Sequence, residues 1–331
     1  MKQELIAGKP GKMKPSKIFL NPAFSIFIPI IIICIVTGIS KPNFASLGNL
    51  QAILTTCIFI GTASLGQSVV MMSGEIDLSV GCAAGFNGIM FATAAVTWGL
   101  NPFASVLVGL AAGAFMGFIN GYLVARLGMV NFIATLATMF ISQGVGLTIS
   151  QGTPVGPLPD FWIDVAVAKP LGLSIMFFIF IAIYIGLFVM MRLTKTGKQI
   201  LAVGGNRNSA LMAGINVVKI KWGVYVLSGV LAAVSGIFSA ITMSAASSET
   251  GVGMEFRTIT ACAIGGISFA GGKGSMIGLI IGILFINVLN NALQALAVES
   301  NVQMVIIGVI LIAAVLVEIV RDKMEAKSVA E

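Results

Sequence analysis

The chain has no histidine, and Lys, Arg, Asp and Glu together make up only 9% of its 331 residues. An ordinary soluble domain carries about 25% charged residues. Without histidine, no Ser/His/Asp or Cys/His nucleophile–base pair can be assembled. No paired acids stand in a pattern that supports hydrolysis. Cysteine is scarce too. Cys34, Cys57, Cys82 and Cys262 lie in or beside apolar runs without C-x-x-C spacing. They read as small buried hydrophobes, not as metal ligands or a disulfide framework. No metal and no cofactor is therefore expected. The long apolar runs also lack the ten-residue alternation of a membrane barrel.

What the chain does have is apolar length: 57% hydrophobic residues and a mean hydropathy of +1.04. This places it in the polytopic membrane class. A helix needs roughly 20 apolar residues to span. Ten candidate spans follow, near 18–40, 50–72, 78–97, 102–126, 131–150, 172–191, 222–243, 256–271, 275–297 and 302–320. The third and eighth are the weakest, being short or rich in glycine. The expected fold is all-α, with a basic segment at 1–17, a transmembrane body at 18–320 and a tail at 321–331. The first apolar run is long enough to span and is read as an uncleaved first helix, not a signal peptide.

The net charge of +7 does not point to nucleic acid, because the cations follow topology and form no stripe with aromatics. With the N-terminus inside, 16 of the 19 cations fall on the inner side and 3 fall outside. This satisfies the positive-inside rule and puts both termini in the cytoplasm. The outer connections lean acidic, with Asp160, Asp164, Glu249, Glu255 and Glu299. They suit either plain solvation or docking of a soluble partner. Gly109-Leu110-x-x-Gly113 resembles Gly278-Leu279-x-x-Gly282, and Asn120-Gly-Tyr-Leu123 resembles Asn290-Asn-Ala-Leu293. One reading is an inverted internal repeat; the other is coincidence in Gly- and Leu-rich sequence.

Three stretches carry candidate function. Gly74-Glu75-Ile76-Asp77-Leu78-Ser79-Val80-Gly81 puts two carboxylates at the mouth of a span. A carboxylate there must face water, pair, or cap free N–H groups. The reading is a capped turn or a direct substrate contact. Residues 259–275 hold Gly-Gly-Lys273-Gly274, which fails as a phosphate loop because Ser or Thr must follow the Lys. Close helix packing explains its small residues better. Residues 192–221 hold 6 cations and no acid. Here Gly204-Gly205-Asn206 reads as a turn. Asn206 or Asn208 caps a short helix over 209–213 that Gly214 ends. Such a basic helix suits a partner's groove or an anionic lipid surface.

These segments resemble the ribose-type permease subunits of bacterial ABC sugar importers. The match runs through residues 74–81, through Thr196-Gly-Lys-Gln-Ile-Leu-Ala-Val-Gly-Gly-Asn206 with Ala213-Gly-Ile-Asn216, and through 263–275 with Leu289-Asn-Asn-Ala-Leu293. It covers about residues 20 to 320. The resemblance implies a multi-pass protein of the bacterial inner membrane that itself hydrolyses nothing. Its implied partners are two ATP-binding subunits, a periplasmic or extracellular solute-binding protein and a second permease subunit. The implied coupling residues are Gly204, Gly205, Asn206, Ser209, Ala210, Gly214, Ile215 and Asn216. Candidates for the translocation pathway are Glu75, Asp77, Ser79, Asn87, Asn120 and Asn290. Glu75 and Arg257 depart from the family pattern, where Gly and Asp are usual, so the sugar need not be ribose. The rival reading is a self-sufficient secondary transporter, which would need ionisable groups inside the membrane.

Overall fold

A computed structural model describes residues 26–330, with side chains described through Val320. The expectations placed on residues 1–25 lie outside the described residues. Thirteen α-helices follow one another. They are α1 (Phe27–Ser40), α2 (Leu47–Met72), α3 (Val80–Val96), α4 (Pro102–Gly121), α5 (Asn131–Ser150), α6 (Asp160–Val167) and α7 (Ile175–Leu193), then α8 (Lys195–Gly205), α9 (Arg207–Met212), α10 (Val217–Met243), α11 (Met254–Ile264), α12 (Met276–Ala295) and α13 (Ser300–Ala330). A π-helical turn, Tyr122–Arg126, prolongs α4. No named strand occurs among the described residues; a single bridge pairs Val155 with Ala246.

Local sequence sets many of the helix starts. Ser46 accepts a hydrogen bond from the Asn49 N–H at the head of α2, and Asn101 accepts one from Ala104 before Pro102 opens α4. Asn216 does the same for α10 and Ser275 for α12. Each cap satisfies one of the free N–H groups of a first helical turn.

Seven helices are long and apolar enough to cross a membrane: α2, α4 with its π turn, α5, α7, α10, α12 and α13. Two further apolar helices, α1 and α3, are shorter, with 14 and 17 residues among those described. The eighth expected span is corrected. Residues 256–271 do not form one crossing helix. α11 stops at Ile264 after 11 residues, and residues 265–275 continue without helix. At 1.5 Å per residue α11 covers about 16 Å, well short of the roughly 30 Å hydrocarbon core. Within the basic stretch, α8 and α9 occupy most of residues 192–221 and α10 begins at Val217. Gly204 and Gly205 belong to the last turn of α8, and the turn comes only at Asn206.

α2 and α10 form the centre, each with 78% of its apolar window buried, whereas α13 shows 11% and keeps its apolar surface outward. That outward surface fits lipid contact, since helix-to-helix burial has no hydrophobic advantage over lipid. Backbones at the centre approach closely. A Cβ on Gly113 of α4 would overlap the Gly229 carbonyl oxygen of α10, and one on Gly229 would overlap that of Gly113. Gly81 of α3 and Gly251, just before α11, stand in the same mutual relation.

This packing sets a clear expectation. Gly251→Val forces two backbones apart and removes folded, monodisperse protein from detergent extracts, as read by size-exclusion chromatography. Gly186→Ala in α7 meets nothing within 4 Å and leaves the elution profile and melting temperature unchanged.

Candidate functional site

The break between α2 and α3 carries the densest polar arrangement in the fold. Asp77 is 2% exposed. Its Oδ1 accepts hydrogen bonds from the Ser79 N–H at 2.9 Å and from the Ser79 hydroxyl at 2.6 Å. Its Oδ2 accepts one from the Ser228 hydroxyl of α10 at 3.1 Å. Asn120 of α4 donates through Nδ2 to Ser79 Oγ at 2.9 Å and accepts from Thr138 Oγ1 of α5 at 2.6 Å. One chain of hydrogen bonds thus runs from α5 through α4 and the break to α10. Every side chain in it is buried. Three donors on Asp77 offset part of the cost of removing a carboxylate from water.

Glu75 makes a second link. Its Oε1 pairs with Lys221 Nζ in the first turns of α10. Glu75 is buried, and the Lys221 side chain is 17% exposed. Tyr225 lies one turn further along α10, fully buried, with no hydrogen-bond partner on its hydroxyl among the described residues. Trp222 closes the same level by donating from Nε1 to the Phe118 carbonyl at 3.1 Å, its ring 4.8 Å from that of Phe118.

Three glycine-rich turns meet on the flank of this break. Gly204 of α8 leaves no room for a Cβ against the Met72 carbonyl and the Gly272 N–H, and Gly271 presses on Gly74. Gly74 has φ +80° and Gly271 φ +81°, a left-handed backbone that other residues rarely adopt. The Gly272 N–H donates to the Met72 carbonyl at 3.0 Å. Glu318 of α13 fixes the 265–275 segment by accepting from Ser268 Oγ at 2.7 Å and from the Phe269 N–H at 2.9 Å.

From this junction the chain enters α9. Asn206 caps it through the Ser209 N–H at 2.9 Å, and Gly214 ends it with φ +76°. Ala210 is buried in a small cluster with Val203 and Val217, and Ile215 packs beside them. The opposite side of α9 presents Leu211, 51% exposed, and Met212, 93% exposed. Asn216 then caps α10 through the Lys219 N–H at 3.0 Å.

Residues 49–315 match the family described as the branched-chain amino acid transport system / permease component. The chain belongs to this permease family. It is 35% identical over 312 residues to the ribose import permease protein RbsC of Escherichia coli K12, covering 93% of this chain and 97% of that one. The RbsC protein of Bacillus subtilis is 32% identical, with 88% and 91% covered. The L-arabinose transport system permease protein AraH of Escherichia coli K12 is 32% identical, with 92% of each chain covered. Among solved structures, a metal-chelate type ABC transporter in an inward-facing conformation aligns with a TM-score of 0.48 and 14% identity, over 84% of this chain and 91% of that one. The permease is thus a multi-pass membrane component of a transport system, not its ATPase.

The six pathway candidates of the permease divide. Asp77, Ser79 and Asn120 share one network, and Glu75 joins the neighbouring ion pair. Asn87 of α3 is wholly buried beside Gly113, with neither amide atom paired. Asn290 of α12 is 3% exposed with both amide atoms unpaired among the described residues, and the structure does not bring it into the Asp77 network. Sequence reasoning missed Ser228, Thr138 and Lys221 as partners. Hydroxyls inside apolar spans at Ser228 and Thr138 were the available signal.

The Glu75–Lys221 pair gives a direct test. Removing one partner of a buried pair leaves the other charge uncompensated and costs about 3 kcal/mol. Glu75→Gln or Lys221→Met therefore lowers the melting temperature in detergent, while the double variant recovers most of the loss. Equal melting temperatures for wild type and both single variants would show that the pair contributes nothing.

Proposed function

We propose that the permease is the membrane subunit of an ATP-driven importer that moves a sugar or sugar-like molecule across the bacterial inner membrane. Its partners are two ATP-binding subunits, a solute-binding protein outside and a second permease subunit. The observation that carries this reading is 32–35% identity over nearly the whole length to permeases for ribose and L-arabinose.

The element order supports a ten-segment membrane body with both termini inside. The first half runs α2, a break at 73–79, the shorter α3, then α4. The second half runs α10, a break at 244–253, the shorter α11, then α12. With the N-terminus inside, the two sets run in opposite senses, as an inverted repeat does. Gly81 and Gly251 meet where the two breaks approach each other. Interrupted helices in corresponding positions of two halves are where transporters place their pathway. Asp77, Ser79 and Asn120 hold one break in shape, and the unpaired amides of Asn87 and Asn290 are polar groups free to meet a polyol.

α9 is the coupling helix. It is short, capped, anchored by Ala210, and offers Leu211 and Met212 outward between basic flanks. That face suits insertion into a groove on an ATP-binding subunit. Its other end reaches the first break and the segment after α11 through Gly204 and Gly205. Closure of the ATP-binding subunits on nucleotide would move α9 and, through α8, the first break and the segment after α11.

Proteoliposomes test both claims. Assembled with ATP-binding subunits and a solute-binding protein, the permease accumulates labelled sugar only with ATP. Uptake by the permease alone, driven by an ion gradient, would overturn the importer reading. Met212→Glu leaves the melting temperature unchanged but lowers co-purification of the ATP-binding subunit and cuts ATP-dependent uptake at least ten-fold. Ala210→Pro, which removes the Ala210 N–H bond to the Asn206 carbonyl, disrupts α9 itself and lowers co-purification and uptake further. If both variants bind and transport like wild type, α9 is not the coupling element.

A further inference from the structure

A cavity of about 140 Å³ lies between the first half of α2, the second half of α10 and the start of α11. A water needs roughly 10–15 Å³ of such space, so about ten water positions fit, close to the atom count of a monosaccharide. Its wall carries hydroxyls from Thr56, Ser235, Ser239 and Thr250, an aromatic face from Phe59, and one charge, Arg257. Ser235 Oγ donates to the Phe59 carbonyl at 2.8 Å, and Thr56 Oγ1 to that of Ala52 at 3.1 Å. The side chains of Ser239 and Thr250 make no hydrogen bond among the described residues.

Arg257 is the unusual member. It forms no ion pair within 4 Å among the described residues, where the pair seen is Lys221–Glu75. The acid nearest in sequence, Glu255, acts on Arg257 through its charge but makes no ion-pair contact with it; its Oε2 lies against α3, where a Cβ on Gly81 would overlap it. With no carboxylate within 4 Å among the described residues, the Arg257 guanidinium keeps donors available to whatever enters the cavity. Its planar fork matches carboxylate or phosphate oxygens in a bidentate fashion.

We propose that Arg257 makes this cavity a selectivity site for a monosaccharide-sized polyol bearing an anionic group, a sugar acid or a sugar phosphate. The proposal rests on the sugar-permease reading and narrows it. The hydroxyls of Ser239 and Thr250 meet the polyol, Phe59 meets its apolar face, and Arg257 holds the anion. A neutral sugar in the same place displaces the water around Arg257 and leaves its donors unpaired, which disfavours it.

The test uses the assembled importer in proteoliposomes, with D-ribose, D-ribonate and D-ribose 5-phosphate as labelled substrates. The expected result is ATP-dependent uptake of D-ribonate or D-ribose 5-phosphate at least ten-fold above D-ribose; which anion is favoured separates carboxylate from phosphate. Arg257→Gln abolishes that preference, and Arg257→Lys keeps part of it. The melting temperatures of both variants are compared with wild type in parallel. Wild-type uptake of D-ribose that equals or exceeds the anions overturns the proposal and leaves the sugar-permease reading standing. So does an anion preference that survives in Arg257→Gln. Failure to take up any sugar, neutral or anionic, overturns both. Should Arg257→Gln fail to fold, wild-type selectivity together with Arg257→Lys still decides.

Discussion

The centre of the permease depends on holding a non-helical stretch of backbone inside a protein body that lipid surrounds. Hydrocarbon supplies no hydrogen bonds, so a broken helix survives there only if protein groups replace water. Asp77 does this at the first break. One carboxylate oxygen takes two donors from Ser79, and the other takes Ser228. Asn120 extends the set to Thr138. The same five side chains fasten α3, α4, α5 and α10 together, so the device that satisfies the break also sets the relative positions of four helices. An aliphatic residue at 77 would leave Ser228 and the Ser79 N–H without their acceptor.

The non-helical segment after α11 is stabilised differently. Residues 265–275 carry no buried aspartate; Glu318 reaches in from α13 and accepts from Ser268 and Phe269. α13 is the least enclosed of the seven long helices. Its acid therefore also ties a peripheral helix to the centre. The two non-helical segments use one principle, a carboxylate receiving backbone and hydroxyl donors, but the first draws the acid from the break itself and the other imports it.

This contrast explains what could be read from the sequence. The Asp77–Ser79 contact lies two residues apart and was legible as a capped turn. Ser228 lies 151 residues from Asp77, and nothing local in an apolar span marks which hydroxyl will face it. The presence of α9 was legible because Asn206 and Gly214 are local cap and stop signals, although the helix runs over 207–212 and not 209–213. Gly204-Gly205 was read as a turn because the sequence does not show the Met72 carbonyl and Gly272 pressing on that turn of helix. Glycine is there to let backbones touch, and its place in α8 follows. The eighth apolar stretch was misjudged for a related reason. Hydropathy reports burial, and residues 265–272 are largely buried by protein without being helical. The pairs Gly265-Gly266 and Gly271-Gly272 were the local warning.

Close contact of backbones also bears on how motion travels. A side-chain contact can be remade by a rotamer change, but two backbones separated by no more than glycine Cα atoms cannot slide without one of them bending. Gly204 sits directly against Met72 and Gly272, and Gly271 against Gly74. A displacement of α8 is therefore imposed at once on the residues that lead into the first break and on those that follow α11. Packed interfaces of this kind shift between discrete arrangements, since they do not deform continuously. Glu75 and Lys221 lie beside the same junction, one on the break and one on α10. Their pairing fixes α10 to the first break in the arrangement seen here, so any rearrangement of that break must either carry Lys221 with it or separate the two charges.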